Sequence, residues 1–335
     1  MPGRTVSVGV IGCGSFARHM HLPRMRSDGR YRIHAACDVD EARAEAVARE
    51  YGCAYHTSDV ERVLSDDDVE LVMITTRHDT HADLSIRAAR AGKHILCEKP
   101  MGLTIEECRA VYRAVRESGV RYTIGYNRSV APLVQRARDR LMGIGRPFII
   151  YHRMQNYIPD HWLLEATGGG RLIGEGCHVF DMFCVLAGAD PVRISGAGGV
   201  FTGNPRAIVP DTAAVTMAFA NGVAATMIVS SVGCNNGLSK EWTEIYCRDT
   251  AITIDDFRVM TVHSPAVLER TELPAVDKGH QREIALLADA LLDGGPEPND
   301  VVQAMRAAVC ALKADEAIRT GATMTLSRSD YVLDA

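Results

Sequence analysis

Gly12–Cys13–Gly14–Ser15–Phe16–Ala17 closes a short β-branched run and opens a helical one. This G-x-G-x-x-A pattern does a particular kind of chemistry: it holds phosphates. The first glycine permits a tight turn, the second lets a pyrophosphate approach the backbone, and Ala17 lets the helix pack close to the sheet. Backbone N–H groups at the helix start then face the phosphates. Asp38 falls 21 residues after Ala17, at the end of the next strand-like run. A carboxylate there accepts from both hydroxyls of an adenosine ribose and repels a 2′-phosphate, which favours NAD over NADP. The alternatives are an ordinary tight turn for the loop and a helix N-cap for Asp38. Other chemistries lack their residues. No G-x-x-x-x-G-K-[ST], Tyr-x-x-x-Lys or His-Glu-x-x-His occurs in the chain. His19-x-His21 has no partners at metal spacing and reads as two polar helix residues with no required role.

The elements around the loop alternate. Strand-like runs at 5–11, 32–37, 70–75, 93–97 and 121–125 are separated by helix-like runs at 15–26, 41–50, 79–91 and 104–117. This alternation predicts a parallel sheet with helices on both faces, and the near-continuous Leu71–Val72–Met73–Ile74 suits such a sheet. After a helix at 130–142 the pattern changes. A strand at 147–157 and a helix at 171–186 are followed by six strand candidates between 192 and 262 without intervening helices. That run predicts an antiparallel sheet. Two late helices, at 281–292 and 301–319, flank Gly294–Gly295–Pro296. The expected division is residues 1–126 and 127–335.

The chain's 335 residues fit about two domains. With 37 basic and 42 acidic side chains the net charge is −5, which argues against a nucleic-acid partner. No apolar stretch approaches the ~20 residues of a membrane span, and the apolar run near the N-terminus is too short for a secretory signal. The ten cysteines form no Cys-x-x-Cys pair and most sit in apolar segments, so reduced buried thiols and a cytoplasmic location are expected.

Four further segments carry a family resemblance. Ala91–Gly92–Lys93–His94–Ile95–Leu96–Cys97–Glu98–Lys99–Pro100 resembles the Glu-Lys-Pro signature of the glucose–fructose oxidoreductase, inositol dehydrogenase and rhizopine-catabolism (Gfo/Idh/MocA) family. Thr75–Thr76–Arg77–His78–Asp79–Thr80–His81 is similar to its cofactor segment, departing at Arg77 and His78, where proline and asparagine are usual. Gly125–Tyr126–Asn127–Arg128 is similar to its Gly-Phe-Asn-Arg. The run from Gly168 to Asp181 resembles its Gly-Gly-Gly…Asp-x-Gly-x-His-x-x-Asp, with Glu175 in place of the common aspartate. The resemblance implies a Rossmann domain followed by an α/β domain with a large, mostly antiparallel open sheet. It also implies a cis Lys99–Pro100 bond and a homodimer or homotetramer built on the sheet face. For the cofactor it implies contacts from Gly12, Gly14, Ser15, Phe16, Asp38, Thr75, Arg77, His81, Glu98, Lys99 and Asn127.

Oxidising a secondary alcohol needs a hydride acceptor and a base. Lys99 can be that base only if its pKa falls from ~10.4 toward neutrality, through burial and the like charge of an oxidised nicotinamide. His178 is the second candidate because imidazole titrates near neutral pH. Glu175, three residues before it on one helix face, would orient the pair. Arg128, Tyr157 and Trp162 are candidate substrate contacts, Trp162 offering a flat surface for a sugar. Each has a structural alternative: Lys99 pairing with Glu98, an interior His178, Glu175 holding the glycine run, Asn127 as a turn residue, and packing for the other three. The expected activity is NAD-dependent oxidation of a ring hydroxyl of a sugar, amino sugar, cyclitol or nucleotide sugar, or the reverse. The alanine- and arginine-rich composition suits a high-GC bacterium and natural-product sugar biosynthesis. An acidic pocket of Asp160, Glu165 and Glu175 would suit an amino sugar. An NAD-dependent glycosidase and a dinucleotide-sensing regulator are the alternatives.

Overall fold

In the computed structural model, which describes residues 4–207 and 210–333, Val6–Ile11 forms a strand (β1) buried at every position. A strand with no exposed face belongs in a sheet covered on both sides. A turn of π-helix at Ala17–His21 runs into α1 (Leu22–Asp28). Next come β2 (Tyr31–Cys37), α2 (Glu41–Tyr51), β3 (Tyr55–Thr57), α3 (Val60–Leu64), β4 (Leu71–Ile74), α4 (His81–Arg90), β5 (His94–Cys97), α5 (Ile105–Ser118) and β6 (Tyr122–Ile124). The six strands pair in the order β3-β2-β1-β4-β5-β6, parallel throughout. The order reverses between β1 and β4, so the loops leaving those strands flank the switch point at which doubly wound sheets bind ligands. Helix starts are chemically fixed: Asp40 caps α2, and Thr104 with Glu107 closes a capping box on α5. The pattern reading contained no β3 or α3, which span three and five residues, too short for a period to show.

The chain continues through α6 (Pro132–Ile144), β7 (Ile149–Gln155), α7 (Cys177–Ala187), β8 (Pro191–Gly199), β9 (Thr212–Phe219), β10 (Ala224–Ser230), β11 (Glu241–Cys247), β12 (Thr250–Asp255), β13 (Val259–His263) and β14 (Leu268–Glu272). It ends with α8 (His280–Asp293), α9 (Val301–Thr320) and β15 (Met324–Thr325). A nine-stranded sheet runs β14-β13-β12-β11-β7-β10-β9-β8-β15. Only the β7–β10 pair is parallel. Its strands alternate buried and open positions, as β9 and β11 do, so one face is covered and the other is not.

Among the described residues two units result, one of 4–125 with His280–Met305 and Leu333, the other of Tyr126–Gly279 with Arg306–Val332. The first is thus discontinuous. Its claim on α8 is physical: Tyr31 donates its hydroxyl to the Ile284 carbonyl at 2.7 Å, and Ile284, Leu287 and Ala288 share a core with Val8, Leu22 and Val47. All ten cysteines are free thiols. Among the described residues no helix is long and apolar enough to cross a membrane.

Candidate active site

In the first unit the glycine loop is built on two different requirements. Gly12 has φ +97°, and a Cβ there would lie 2.7 Å from the Thr75 carbonyl oxygen. Thr75 in turn donates its hydroxyl to the Gly12 carbonyl at 2.6 Å, which joins the loop after β1 to the one after β4. A Cβ on Gly14 would meet nothing within 4 Å, the space a pyrophosphate needs. Asp38 is buried, with one carboxylate oxygen accepting from the Cys13 N–H at 2.7 Å and the other from the Asp40 N–H at 2.9 Å. Asp40, not Asp38, caps α2, which removes the capping alternative. A cleft of about 380 Å³ opens against Cys13, Gly14, Ser15, Arg18, His19 and Arg43. Open backbone at Gly14 and an anchored carboxylate at the end of β2 fit a dinucleotide. Asp38→Ala is expected to raise the Kd for NAD by about tenfold or more and that for NADP by less, because it removes a charge that only the 2′-phosphate form opposes. Equal losses in a binding titration would reject the ribose assignment.

The Glu-Lys-Pro segment leaves the end of β5. Glu98 is buried, and its carboxylate accepts from His21 Nε2 at 2.7 Å. Burial alone would raise its pKa, but the His21 hydrogen bond and charge, Lys99 and His280 outweigh this and hold it below the usual value. His21 therefore corrects the view that the early histidines have no role: it is fully buried and tied to the signature. Gly125 is part of the same construction, since a Cβ there would fall 2.6 Å from the Glu98 Oε1. Lys99–Pro100 is cis. His81 has no exposed surface, so it does not reach a ligand directly. Its Nδ1 donates to the Pro100 carbonyl at 2.9 Å while Nε2 faces the Thr76 carbonyl at 3.3 Å, which joins the two cofactor segments. Ser15, Phe16 and Arg77 are exposed, and Thr75 and Lys99 are half-buried. Phe16 stands edge-on to His21, ring centroids 5.4 Å apart.

In the second unit two charge clusters surround the start of α7. Glu241, 1% exposed at the start of β11, takes Arg128 at 3.0 Å and Lys278 at 2.6 Å, with His152 at 3.6 Å. Burial would push Glu241 up, but these neighbours hold it well below the usual carboxylate value. Arg128 is thus an interior ion-pair partner and does not present its guanidinium to solvent. Asn127, at the start of the turn Asn127–Val130, donates its amide to the Lys278 carbonyl at 2.7 Å and accepts from Arg128 at 3.2 Å. The second cluster centres on Glu175, which pairs with both Arg171 and Lys240, while Arg171 also donates to Asn156. His178 is buried, its ring centroid 6.0 Å from that of Tyr126, which precedes the Asn127 turn. Tyr157 is exposed and Trp162 half-buried, tilted against His161 at 5.6 Å. The candidates thus gather in two sets: Gly12, Gly14, Asp38, Thr75, Glu98 and Lys99 in one unit, Asn127, Arg128, Glu175 and His178 in the other. The sequence reading missed Glu241, Lys240, Lys278 and His152. Only Arg171 had a local signal, its i,i+4 spacing to Glu175.

Residues 6–126 match the oxidoreductase family with an NAD-binding Rossmann fold, and residues 134–253 match the GFO/IDH/MocA C-terminal domain. The chain belongs to the Gfo/Idh/MocA oxidoreductase family. This Gfo/Idh/MocA chain is 25% identical to the uncharacterized oxidoreductase YrbE of Bacillus subtilis, over 98% of its own length and 99% of YrbE. It is 33% identical to inositol 2-dehydrogenase of Rhizobium meliloti, over 58% of this chain and 59% of that one. The same fold is seen in levoglucosan dehydrogenase solved with NADH and levoglucosan, at 20% identity, a TM-score of 0.87, and coverage of 96% and 99%. NAD is the cofactor of its Rossmann domain.

Proposed function

We propose that this chain is an NAD-dependent dehydrogenase that oxidises a secondary ring hydroxyl of a sugar or cyclitol to a ketone, or runs the reverse. The observation that carries the reading is the Glu98–Lys99–Pro100 construction: a lysine leaving β5, the strand next to β4 of the switch point, with its neighbouring carboxylate already engaged by His21. Relatives named for inositol and levoglucosan support the substrate class.

Gly12, Gly14, Ser15, Phe16, Asp38, Thr75 and Arg77 would hold the dinucleotide, which when bound accepts a hydride. Lys99 Nζ and His178 are the two groups offered for the hydroxyl proton, one as base and the other as donor to the same oxygen. Glu175, fixed by Arg171 and Lys240, positions the turn that bears His178. Tyr157 and Trp162 supply surface for a ring face. Support for an amino-sugar substrate weakens, since Glu175 is answered by two cations and Glu165 pairs with Arg206 at 2.8 Å. A copy of the same chain on the open sheet face, giving a homodimer or homotetramer, completes the proposal.

A panel of cyclitols, anhydrosugars, hexoses and amino sugars, incubated with NAD⁺ and with NADP⁺ and followed at the absorbance of the reduced cofactor, tests it. Turnover of at least one cyclitol or sugar, faster with NAD⁺, is expected. Reduction of neither cofactor by any of them would remove the reading.

A further inference from the structure

We propose that Lys240 recognises an anionic substituent, a carboxylate or a phosphate, carried by the sugar or cyclitol. The proposal rests on the dehydrogenase reading above and narrows its substrate class. Four cations of the second unit, Arg128, Arg171, Lys240 and Lys278, meet three carboxylates, Glu175, Glu241 and Asp256. Glu241 and Asp256 answer Arg128 and Lys278. Glu175 makes the direct ion pairs of both Arg171 and Lys240, Glu241 acting on them only from farther off, so across the whole group the cations exceed the carboxylates by one. His152 does not alter the balance, since burial favours its neutral form.

The excess has one reachable member. The side chains of Arg128, Arg171 and Lys278 are 8%, 0% and 16% exposed, and that of Lys240 is 34% exposed. Among the described residues, the Lys240 ammonium hydrogen-bonds to Glu175 alone, and an ammonium has three donors. Burial works against its charge and lowers its pKa; Glu175 and, less, Glu241 oppose that shift, and the charge of Arg128 adds to it. An anion beside Lys240 relieves both penalties. A carboxylate or phosphate gains charge-assisted hydrogen bonds about twice as strong as those of a neutral hydroxyl, whereas an ammonium substituent is repelled. The glutamate at 175 makes this geometry, because its carboxylate reaches the Arg171 and Lys240 heads together.

The test uses matched substrates with NAD⁺: glucose, glucuronate and glucose 6-phosphate, then myo-inositol and an inositol monophosphate. Wild type, Lys240→Met and Lys240→Arg are compared for kcat/KM, and for the shift in melting temperature with each compound alone. At least one anionic member should exceed its neutral parent by about tenfold in wild type. Lys240→Met should bring that ratio close to one, and Lys240→Arg should keep most of it. The uronate and phosphate arms identify which anion is read. Equal or better use of the neutral parents, or an unchanged ratio in Lys240→Met, overturns the proposal. If no compound is oxidised, the dehydrogenase reading has failed instead. The melting shifts then decide Lys240: greater stabilisation of wild type than of Lys240→Met by an anion supports it, and equal stabilisation overturns it.

Discussion

Lys99→Ala is expected to lower kcat by roughly a thousandfold or more while the Kd for NAD stays within about threefold, since a positioned general base contributes about 10²–10⁴ in rate. The variant to set beside it is Lys99→Arg. A guanidinium keeps the positive charge and some of the length but does not give up its proton near neutral pH. If Lys99 acted only as a fixed charge, arginine would restore much of the rate. If it accepts the proton, arginine should be nearly as poor as alanine. His178→Ala should also depress kcat, and the Lys99→Ala, His178→Ala double variant should be little worse than the worse single one, because groups acting on one oxygen are not additive. Stopped-flow reduction of NAD⁺ with the best substrate reads all four variants against wild type. Retention of more than about a tenth of wild-type turnover in Lys99→Ala would sink the assignment.

What the sequence disclosed and what it concealed divide along a physical line. The G-x-G-x-x-A loop and the parallel sheet are local matters, written in glycine spacing and strand runs, while the cis Lys99–Pro100 bond follows from the family resemblance. Arg171 and Glu175 also lie one helical turn apart, although their joint capture of Lys240 does not show in that spacing. Long-range pairings left no trace. His21 and Glu98 are 77 residues apart and Arg128 and Glu241 are 113 apart, and neither pair shares a periodic pattern. Glu241 reads locally as the first residue of an alternating strand. Its importance comes from register: β11 runs antiparallel to β7, which sets Thr243 opposite His152, and the Thr243 hydroxyl and the His152 ring lie 2.9 Å apart. The placement of α8 with the first unit is hidden for the same reason, since it depends on a core contact from Tyr31 across some 250 residues. The pairing of Glu175 with Lys240 and of Glu165 with Arg206 is hidden likewise, since the residues are visible in the sequence and the contacts between them are not.

Glu241→Gln is expected to destabilise the second unit by ~3–5 kcal/mol, the usual cost of removing one partner from a buried ion pair. Glutamine keeps the shape and one carbonyl acceptor, so the loss isolates the charge. Lys278 would keep Asp256, Arg128 would lose its direct ion pair, and the turn that carries Asn127 would lose its tie to β11. A midpoint lower by roughly 10 °C is the expected reading in a thermal melt. Adding Lys278→Met removes one of the two cations that Glu241 had paired and should recover part of the loss, whereas Lys278→Met alone, leaving Arg128 against Glu241, should cost less than Glu241→Gln. The acid limb supplies an independent check. Glu241 is held well below its usual value of 4.5, so its contribution is complete above the unfolded carboxylate's pKa and is lost as the pH falls through that value toward the folded one. Wild type should therefore lose stability more steeply than Glu241→Gln below about pH 4.5, and the two melting curves should converge there. A Glu241→Gln melt within a degree or two of wild type at pH 7 would mean that the buried cations find their counter-charge elsewhere.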